Sequence, residues 1–465
     1  MNAYEAILDG LPGDASDVGV RDRFRRWLAS GGTVPGLPDD AVLPAGTVEA
    51  LAHRFSLPQE RVDALLAALA QLSDKAALRT VTRFLAFDLC TDRNRYDGET
   101  FRNPSPPQME RHAPLYPLLL CLACIPVSRA MCRARGIPEA TYLAVAERAL
   151  GPQMRRFASG SDDIADFPWD LNFYTGSIFL IGRFSYITTP YEDDVDFWRN
   201  RTTGKVLGLY DGERLFRRDG QFQPAGAMHG SEAAALADKT GTADDPADVD
   251  PLPFLSVRHM TESTVTAHPV NPMGFLEREP VTLPLSEWEC VLRRGDWTLG
   301  FHIPSGPGYE PEQLLSSTRE AFAFFDRHVP ERPVRALWSE SWLYDPRLSL
   351  CMDAERNIVR MQRQMYLYPM ERDDAMLRME LFGNERIDLS VFEPRTGLQR
   401  AALAYMRAGG RFHTGGMVIL REEVDRIGDM PYIRVSDIER FRKTVDTHLD
   451  ERRPHVCAAW HEAGK

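Results

Sequence analysis

Apolar residues in the first third of the chain recur at helical spacing. Val62, Leu65, Leu66, Leu69 and Leu72 share one helix face, and Leu78, Val81, Phe84, Leu85 and Leu89 share the next. Ser56-Leu-Pro-Gln59 reads as a capping box with proline in the first turn, opening the first of these helices. A third helix is expected from Pro138 to Leu150, with Gly151-Pro152 stopping it. The apolar run Ala113–Val127 is 15 residues long and is broken by Pro114, Pro117 and Pro126. A bilayer span needs about 20 apolar residues, so the run reads as buried core and no membrane partner is expected. No strand-like alternation interrupts this region. Residues 1–155 are therefore expected to form an α-helical bundle.

The pattern changes after Arg155. Phe173 to Thr189 is rich in Phe, Ile and Tyr, and Tyr210-Asp-Gly212 and Arg218-Asp-Gly220 carry hairpin signals. Strands are expected at Glu287–Arg293, Trp297–Ile303, Val334–Trp342, Ile358–Leu367 and Met376–Phe382. Between them Pro311 opens a helix whose buried face is Leu314, Leu315, Thr318, Phe322 and Phe325. A further helix is expected from Gly397 to Ala408, ending at Gly409-Gly410. Strands alternating with helices imply a mixed α/β domain over residues 156–465. Residues 225–251 are small, acidic and punctuated by proline, and read as a surface loop insertion. The expected fold class is α+β, a helical bundle followed by a mixed α/β domain.

Charge sharpens this division. The net charge of the 465 residues is −12. Residues 156–251 hold 9 basic and 17 acidic side chains, two-thirds of that excess, while residues 1–155 are balanced at 18 and 18. Such a balance argues against a nucleic-acid partner, which a basic face would mark. Seven irregularly spaced cysteines imply no disulfide framework. Met1–Gly10 lacks the basic start and apolar run of a signal peptide. A soluble cytoplasmic protein is expected.

Several familiar arrangements are absent: GxxxxGK[ST], GxGxxG at a strand–helix junction, GxSxG and HExxH. Cys121-Leu-Ala-Cys124 is a single CxxC in an apolar run and reads as core. The tail residues His455, Cys457 and His461 lack a fourth partner, so no metal is expected. The most informative unit is Trp297-Thr-Leu-Gly-Phe-His-Ile-Pro304, followed by Ser305-Gly-Pro-Gly308 and the helix from Pro311. A strand leads through a glycine loop to a helix start, where backbone N–H groups can cradle a phosphate. Glu310 and Glu312 compete with an anion there. On the strand, Thr298 and His302 share the less apolar face, which places His302 as a candidate general base. Glu340, at the end of the next strand, is a second candidate base. Ser341 either donates to a reacting carbonyl or caps the helix opening at Asp345-Pro346. Arg293, Arg294 and Arg319 are candidate phosphate partners. Trp288, Trp297, Trp338 and Trp342 read as aromatic core.

His302-Ile-Pro-Ser-Gly-Pro-Gly308, Phe324-Phe-Asp-Arg-His328, Ser341-Trp-Leu-Tyr-Asp-Pro346 and Asn357-Ile-Val-Arg-Met-Gln-Arg363 resemble successive blocks of a two-domain bacterial acyltransferase family. Leu398-Gln-Arg-Ala-Ala-Leu403 and Arg407-Ala-Gly-Gly410 fit its end region. Members join an α-helical N-terminal acyltransferase domain to a C-terminal domain related to the GNAT N-acetyltransferases. The resemblance implies an acyl-CoA, acetyl-CoA or another, as co-substrate. Its pantetheine would pair with the strand carrying Phe301, His302 and Ile303, and its pyrophosphate would lie over Ser305, Gly306 and Gly308. The strand around Leu337–Trp342 would form the other side of a splay holding the thioester. Tyr344 lies near the place where GNAT enzymes often put a tyrosine that protonates the leaving thiolate. The usual [RQ]xxGx[GA] loop is missing. The expected activity is acyl transfer from CoA to an amine, with a small molecule or peptide as acceptor. The alternative is a non-catalytic, ligand-binding regulator on a degenerate GNAT scaffold. An acyl carrier protein as donor and oxygen as acceptor both stay open.

Overall fold

The apolar run of the first domain becomes the buried axis of the first of two units into which the chain divides. This unit comprises Met1–Leu180 with Ser185–Ile187 and Arg327–Pro330; the second comprises Ile181–Phe184, Thr188–Asp326 and Glu331–Lys465. The structure, a computed structural model, describes residues 3–11, 18–96, 100–223, 250–407 and 410–452. The loop expected at 225–251 lies outside the described residues except for Asp250 and Pro251, as do the tail residues His455, Cys457 and His461, and Gly409 of the helix stop expected at Gly409-Gly410. Asp250 itself is buried, and its carboxylate, held below the usual range despite burial, accepts from Arg218 and from the backbone of Leu252.

The first unit is helical: α1 Ala3–Asp9, α2 Val18–Ala29, α3 Thr47–Phe55, α4 Gln59–Asp74, α5 Ala76–Thr91, α6 Tyr116–Ala134, α7 Glu139–Ala158 and α8 Phe167–Tyr174. Every residue from Tyr116 to Cys124 in α6 is buried, and α5 lays Leu78, Val81, Phe84, Leu85 and Leu89 into the same core. Among the described residues, Pro107–Ala134 is the one segment apolar enough to cross a membrane by composition, and most of it is buried in the unit. Asp88 fastens α5 to its surroundings. It accepts from Arg23 at 2.9 Å, Arg95 at 3.0 Å and the Tyr96 hydroxyl at 2.8 Å.

Two helix boundaries differ from expectation. Ser56 does not cap α4: it sits in the left-handed region (φ 50°) as the C-cap of α3, and Pro58 takes the N-cap of α4. Gly151-Pro152 does not stop α7, which runs on to Ala158. A helical proline costs about 3 kcal/mol. Continuing the helix buries Gln153, Met154 and Phe157, and Arg61 stacks on the Phe157 ring while donating to its carbonyl at 2.9 Å.

Sixteen strands are present among the described residues. β1 Ile178–Ile181 and β2 Phe184–Pro190 begin the main sheet; β3 Val195–Asn200 and β4 Val206–Tyr210 begin a second. Short strands follow at β5 Leu215–Phe216, β6 Phe254–Leu255, β7 Arg258–Met260, β8 Thr264–Ala267, β9 Pro269–Asn271, β10 Phe275–Leu276 and β11 Val281–Pro284. The last long strands are β12 Trp288–Leu292, β13 Trp297–His302, β14 Ala336–Ser341, β15 Tyr366–Pro369 and β16 Gly415–Leu420. The main sheet is ordered β1-β2-β13-β14-β16-β15, and the second β10-β9-β4-β3-β12. Around the sheets lie α9 Pro311–His328, α10 Asn357–Gln362, α11 Gly397–Arg407 and α12 Val435–Arg452.

Three strand-level expectations are corrected. Tyr210-Asp-Gly212 does not turn a hairpin, because β4 pairs with β3 and β9 whereas β5 pairs with β6. Arg218-Asp-Gly220 does, bringing Phe216 opposite Phe222. The first half of Ile358–Leu367 is helical: α10 buries Val359, Met361 and Gln362, and strand begins only at Tyr366. Met376–Phe382 is also helical, ending in a π-turn. The wider π-turn lets Leu377 and Phe382, five apart, share one buried face.

Candidate active site

β13 and β14 are parallel neighbours with Thr298 opposite Ala336, Leu299 opposite Leu337 and Gly300 opposite Trp338. Their register stops there, although β13 continues to His302 and β14 to Ser341. β14 stays paired with β16 through Ser341 opposite Gly415. The sheet therefore parts between β13 and β14 while its outer half stays intact. In a parallel ladder, registered residues face the same side. His302 thus shares a face with Trp338 and Glu340, while Phe301 shares the other with Ser339 and Ser341.

Beyond Ile303 the chain enters the glycine loop. Gly306 (φ 120°) and Gly308 (φ 89°) occupy the left-handed region that favours glycine. Arg183, from the turn joining β1 to β2, was not singled out by the sequence reading, yet it organises this loop. Its guanidinium donates to the carbonyls of Pro304 at 2.6 Å, Gly306 at 2.9 Å and Pro307. All peptides here are trans. Each N–H therefore points opposite the preceding carbonyl, so the amides of Ser305 and Gly308 are directed away from Arg183. Neither has a hydrogen-bond partner among the described residues. Of the two carboxylates at the start of α9, Glu312 is paired with Arg360 of α10 at 3.1 Å.

His302 is desolvated, and burial pushes its imidazole down to about 4. It is therefore neutral across the ordinary pH range. Glu340 is raised by burial, with Arg372 opposing and the charge of Asp193 adding to the shift; Arg372 donates to it at 2.6 Å. Asp193 sits on the same face and is also raised by burial. It accepts from Trp338 Nε1 at 2.6 Å and from the Tyr368 hydroxyl, which itself lies 2.8 Å from Trp338 Nε1. Tyr368 reaches across β16 because residue 416, registered with it, is glycine; a Cβ there would lie inside the Tyr368 ring. The sequence offered Asp193 only as one acid in the run Glu192–Asp196.

After β14 the chain enters a 3₁₀ turn, Trp342–Tyr344. Ser341 caps it, accepting from Leu343 N at 3.2 Å, at a helix earlier than the one expected at Asp345-Pro346. Tyr344 is fully buried. The Gln362 amide of α10 holds its turn, donating to the carbonyls of Leu343 and Asp345, both at 2.8 Å. The Tyr344 hydroxyl lies near Ser339 without the geometry of a hydrogen bond and has no partner among the described residues; burial raises its pKa. Tyr309, directly after the glycine loop, has an equally unpartnered buried hydroxyl.

Just behind Tyr344 is a buried ionic cluster. Arg347 donates to Asp219 at 3.3 Å and to Asp345 at 3.5 Å, and Arg217 grips Asp219 with bonds of 2.6 and 3.1 Å. Asp345 also accepts from the backbone of Arg347 and of His413.

The structure does not bring the sequence-proposed arginines to the glycine loop. Arg319 lies eight residues into α9, about 12 Å along its axis, paired with Asp425 at 2.6 Å. Arg293 and Arg294 belong to the turn after β12, and Arg294 pairs with Asp194. The four tryptophans expected as aromatic core are each only partly buried: Trp288 and Trp342 pack against different clusters, and Arg332 covers Trp297. Cys121 and Cys124 are buried in α6. Among the described residues no group of three or more His, Cys, Asp or Glu is placed to hold a metal.

The His302 shift carries a stability prediction. Between about pH 6.5 and 4 the unfolded chain binds a proton that the native imidazole refuses, so stability is full above this window and falls as pH drops through it. The loss is on the order of 3 kcal/mol at most. Urea midpoints at pH 7 and pH 4.5 should differ less in His302→Gln than in wild type; equal pH slopes would count against the assignment.

A parted parallel strand pair with an amide-bearing glycine loop and a following helix is the framework of a GNAT-type acyltransferase domain. The comparisons agree. A family model described as the GNAT-like C-terminal domain matches residues 178–419, more than half the chain, and one described as the N-acyltransferase N-terminal domain matches 46–156. The chain belongs to this two-domain acyltransferase family. No curated protein sequence matches it. Among solved structures it is similar to an acyltransferase in complex with decanoyl-CoA, with 19% identity, 86% of this chain and 98% of that one covered, and a TM-score of 0.48. A second is an acyltransferase in complex with decanoyl-CoA and teicoplanin, with 17% identity, coverage of 90% and 99%, and a TM-score of 0.48.

Proposed function

We propose that this acyltransferase moves an acyl group, acetyl or longer, from a CoA thioester to an amine on a small molecule or peptide. The observation carrying this reading is the pair of Ser305 and Gly308 amides, turned away from Arg183 and left without partners at the open end of the β13–β14 gap. Amides so directed bind a pyrophosphate, and the gap between the strands accommodates an extended pantetheine arm. They supply by backbone geometry what the missing [RQ]xxGx[GA] loop would have supplied by sequence.

The chemistry then divides by face. On the side of Glu340 and His302 a base takes the proton of the attacking amine. Glu340, raised by burial, is the stronger base of the two; His302 is neutral but weakly basic. The amine nitrogen bonds to the thioester carbon, the C–S bond breaks, and the electron pair leaves on sulfur. Tyr344, still protonated because burial raises it, supplies the thiolate's proton.

Calorimetry with acetyl-CoA, octanoyl-CoA and decanoyl-CoA tests the donor. Gly308→Val forces a branched residue into the left-handed region, with its Cβ 3.3 Å from the Arg183 side chain. It is expected to weaken acyl-CoA binding about tenfold or more while circular dichroism is unchanged. No binding by the intact protein would refute the reading. Binding without release of CoA thiol across a broad amine panel would point instead to the non-catalytic regulator.

A further inference from the structure

Two tyrosine hydroxyls in the second unit are buried and have no hydrogen-bond partner among the described residues. Tyr344 follows β14 and is fully buried; Tyr309 follows the glycine loop at the end of β13. Buried polar groups are almost always satisfied, and each left unmade costs stability. Two such groups flanking one gap require an explanation that core packing does not supply.

Their placement offers one. The Tyr309 ring packs edge-on against Phe184, with centroids 6.4 Å apart, and Phe184 packs in turn on Phe301 of β13 at 4.8 Å. The ring thus lies on the Phe301 face of the sheet, the face that Ser339 of β14 also occupies. Tyr344 approaches from the other strand. The two hydroxyls are beyond hydrogen-bonding distance of each other, yet near enough that a charge on Tyr344 would be felt at Tyr309. Two unpartnered donors on one face, at the end where the two strands part, are the pair that a single acceptor atom held in the gap would satisfy.

Resting on the acyl-CoA reading above, we propose that Tyr309 is a second catalytic residue, which with Tyr344 forms a two-donor site for the sulfur of the departing CoA thiolate. As the C–S bond breaks and sulfur takes the electron pair, Tyr344 transfers its proton to sulfur. Tyr309 donates a hydrogen bond to the same atom and keeps its own proton. The Tyr344 phenolate recovers a proton from solvent after CoA leaves. The acceptor is sulfur because Tyr309 belongs to the loop that holds the CoA end of the thioester.

The test compares CoA with desulfo-CoA by calorimetry at about pH 10, where a substantial share of the free CoA thiol, a weaker acid than cysteine, is ionised. Wild type is expected to prefer CoA by about tenfold or more, as two hydrogen bonds to a charged acceptor would give. Tyr309→Phe should cut that preference several-fold, leave desulfo-CoA affinity unchanged and not lower the melting temperature, since the hydroxyl it removes was unsatisfied. Tyr309→Met provides the same comparison if the phenylalanine variant does not fold. An unchanged CoA preference in the variants would overturn the proposal, as would equal loss for both ligands or equal binding of both by wild type. Binding of neither ligand by wild type would refute the acyl-CoA reading itself, and the proposal with it.

Discussion

Tyr344→Phe lowers kcat for acyl transfer by about 10²-fold or more, the scale on which a positioned general acid contributes, while acyl-CoA affinity stays within about twofold. The change removes one oxygen and keeps the ring that fills the site behind β14. That oxygen has no partner among the described residues, so its loss should not destabilise the fold and can raise the melting temperature slightly. A structural role would show the reverse, a lower melting temperature with kcat preserved. Gln362→Leu is the companion variant. It keeps the hydroxyl but removes the amide that clamps the carbonyls of Leu343 and Asp345, so the turn carrying Tyr344 loosens. Its kcat should fall by less than that of Tyr344→Phe, with little further loss when the two are combined, because both act through one group. CoA-thiol release measured alongside calorimetry reads kcat and binding separately. A Tyr344→Phe enzyme within about threefold of wild type would remove Tyr344 from the mechanism.

Arg347→Ala should cost about 3–5 kcal/mol of folding stability, the usual penalty for removing one partner of a buried ion pair. Arg347 is held charged by Asp345 and Asp219, and all three side chains are at most 5% exposed. Without it, Asp345 keeps only backbone donors and Asp219 keeps Arg217 and the Gln221 amide. Urea unfolding should show a lower midpoint at an unchanged slope. Arg347→Met with Asp345→Leu should recover part of the loss, because replacing a buried pair by apolar residues of similar volume leaves no stranded charge. If the single variant loses less than about 1 kcal/mol, the cluster is hydrated and the account of it is wrong.

This cluster also shows where local reading stops. Asp345-Pro346 looked like a helix opening, and locally Asp345 does hold the amide of Arg347. Its larger role depends on Asp219, more than a hundred residues earlier, which no short window connects to it. Asp193, Trp338 and Tyr368 have the same character. Their meeting needs the order β14-β16-β15 and a glycine at 416, and neither is visible until strands are registered. Arg183 is one arginine among fifty in sequence, but in space it orients a whole loop.

By itself, the sequence determined the elements whose signal is periodic and whose burial is one-sided. The face of α4 apart from the exposed Leu66, the faces of α5 and α9, strands β12, β13 and β14, and the succession of a helical part by a mixed one follow from which side of each segment is apolar, although the helices run on past Arg155 to Tyr174. The glycine loop and its flanking strand and helix were legible for the same reason, as was the placement of His302 and Glu340 near it. Tertiary structure decided the rest. It carried α7 through Pro152, made helices of Asn357–Gln362 and Ala375–Phe382, parted β13 from β14, and set two tyrosine hydroxyls without partners beside that parting. Periodicity is a property of neighbours in the chain. Hydrogen-bond satisfaction and desolvation belong to neighbours in space, and it is these that set the amide directions, proton affinities and unpartnered donors on which acyl transfer depends.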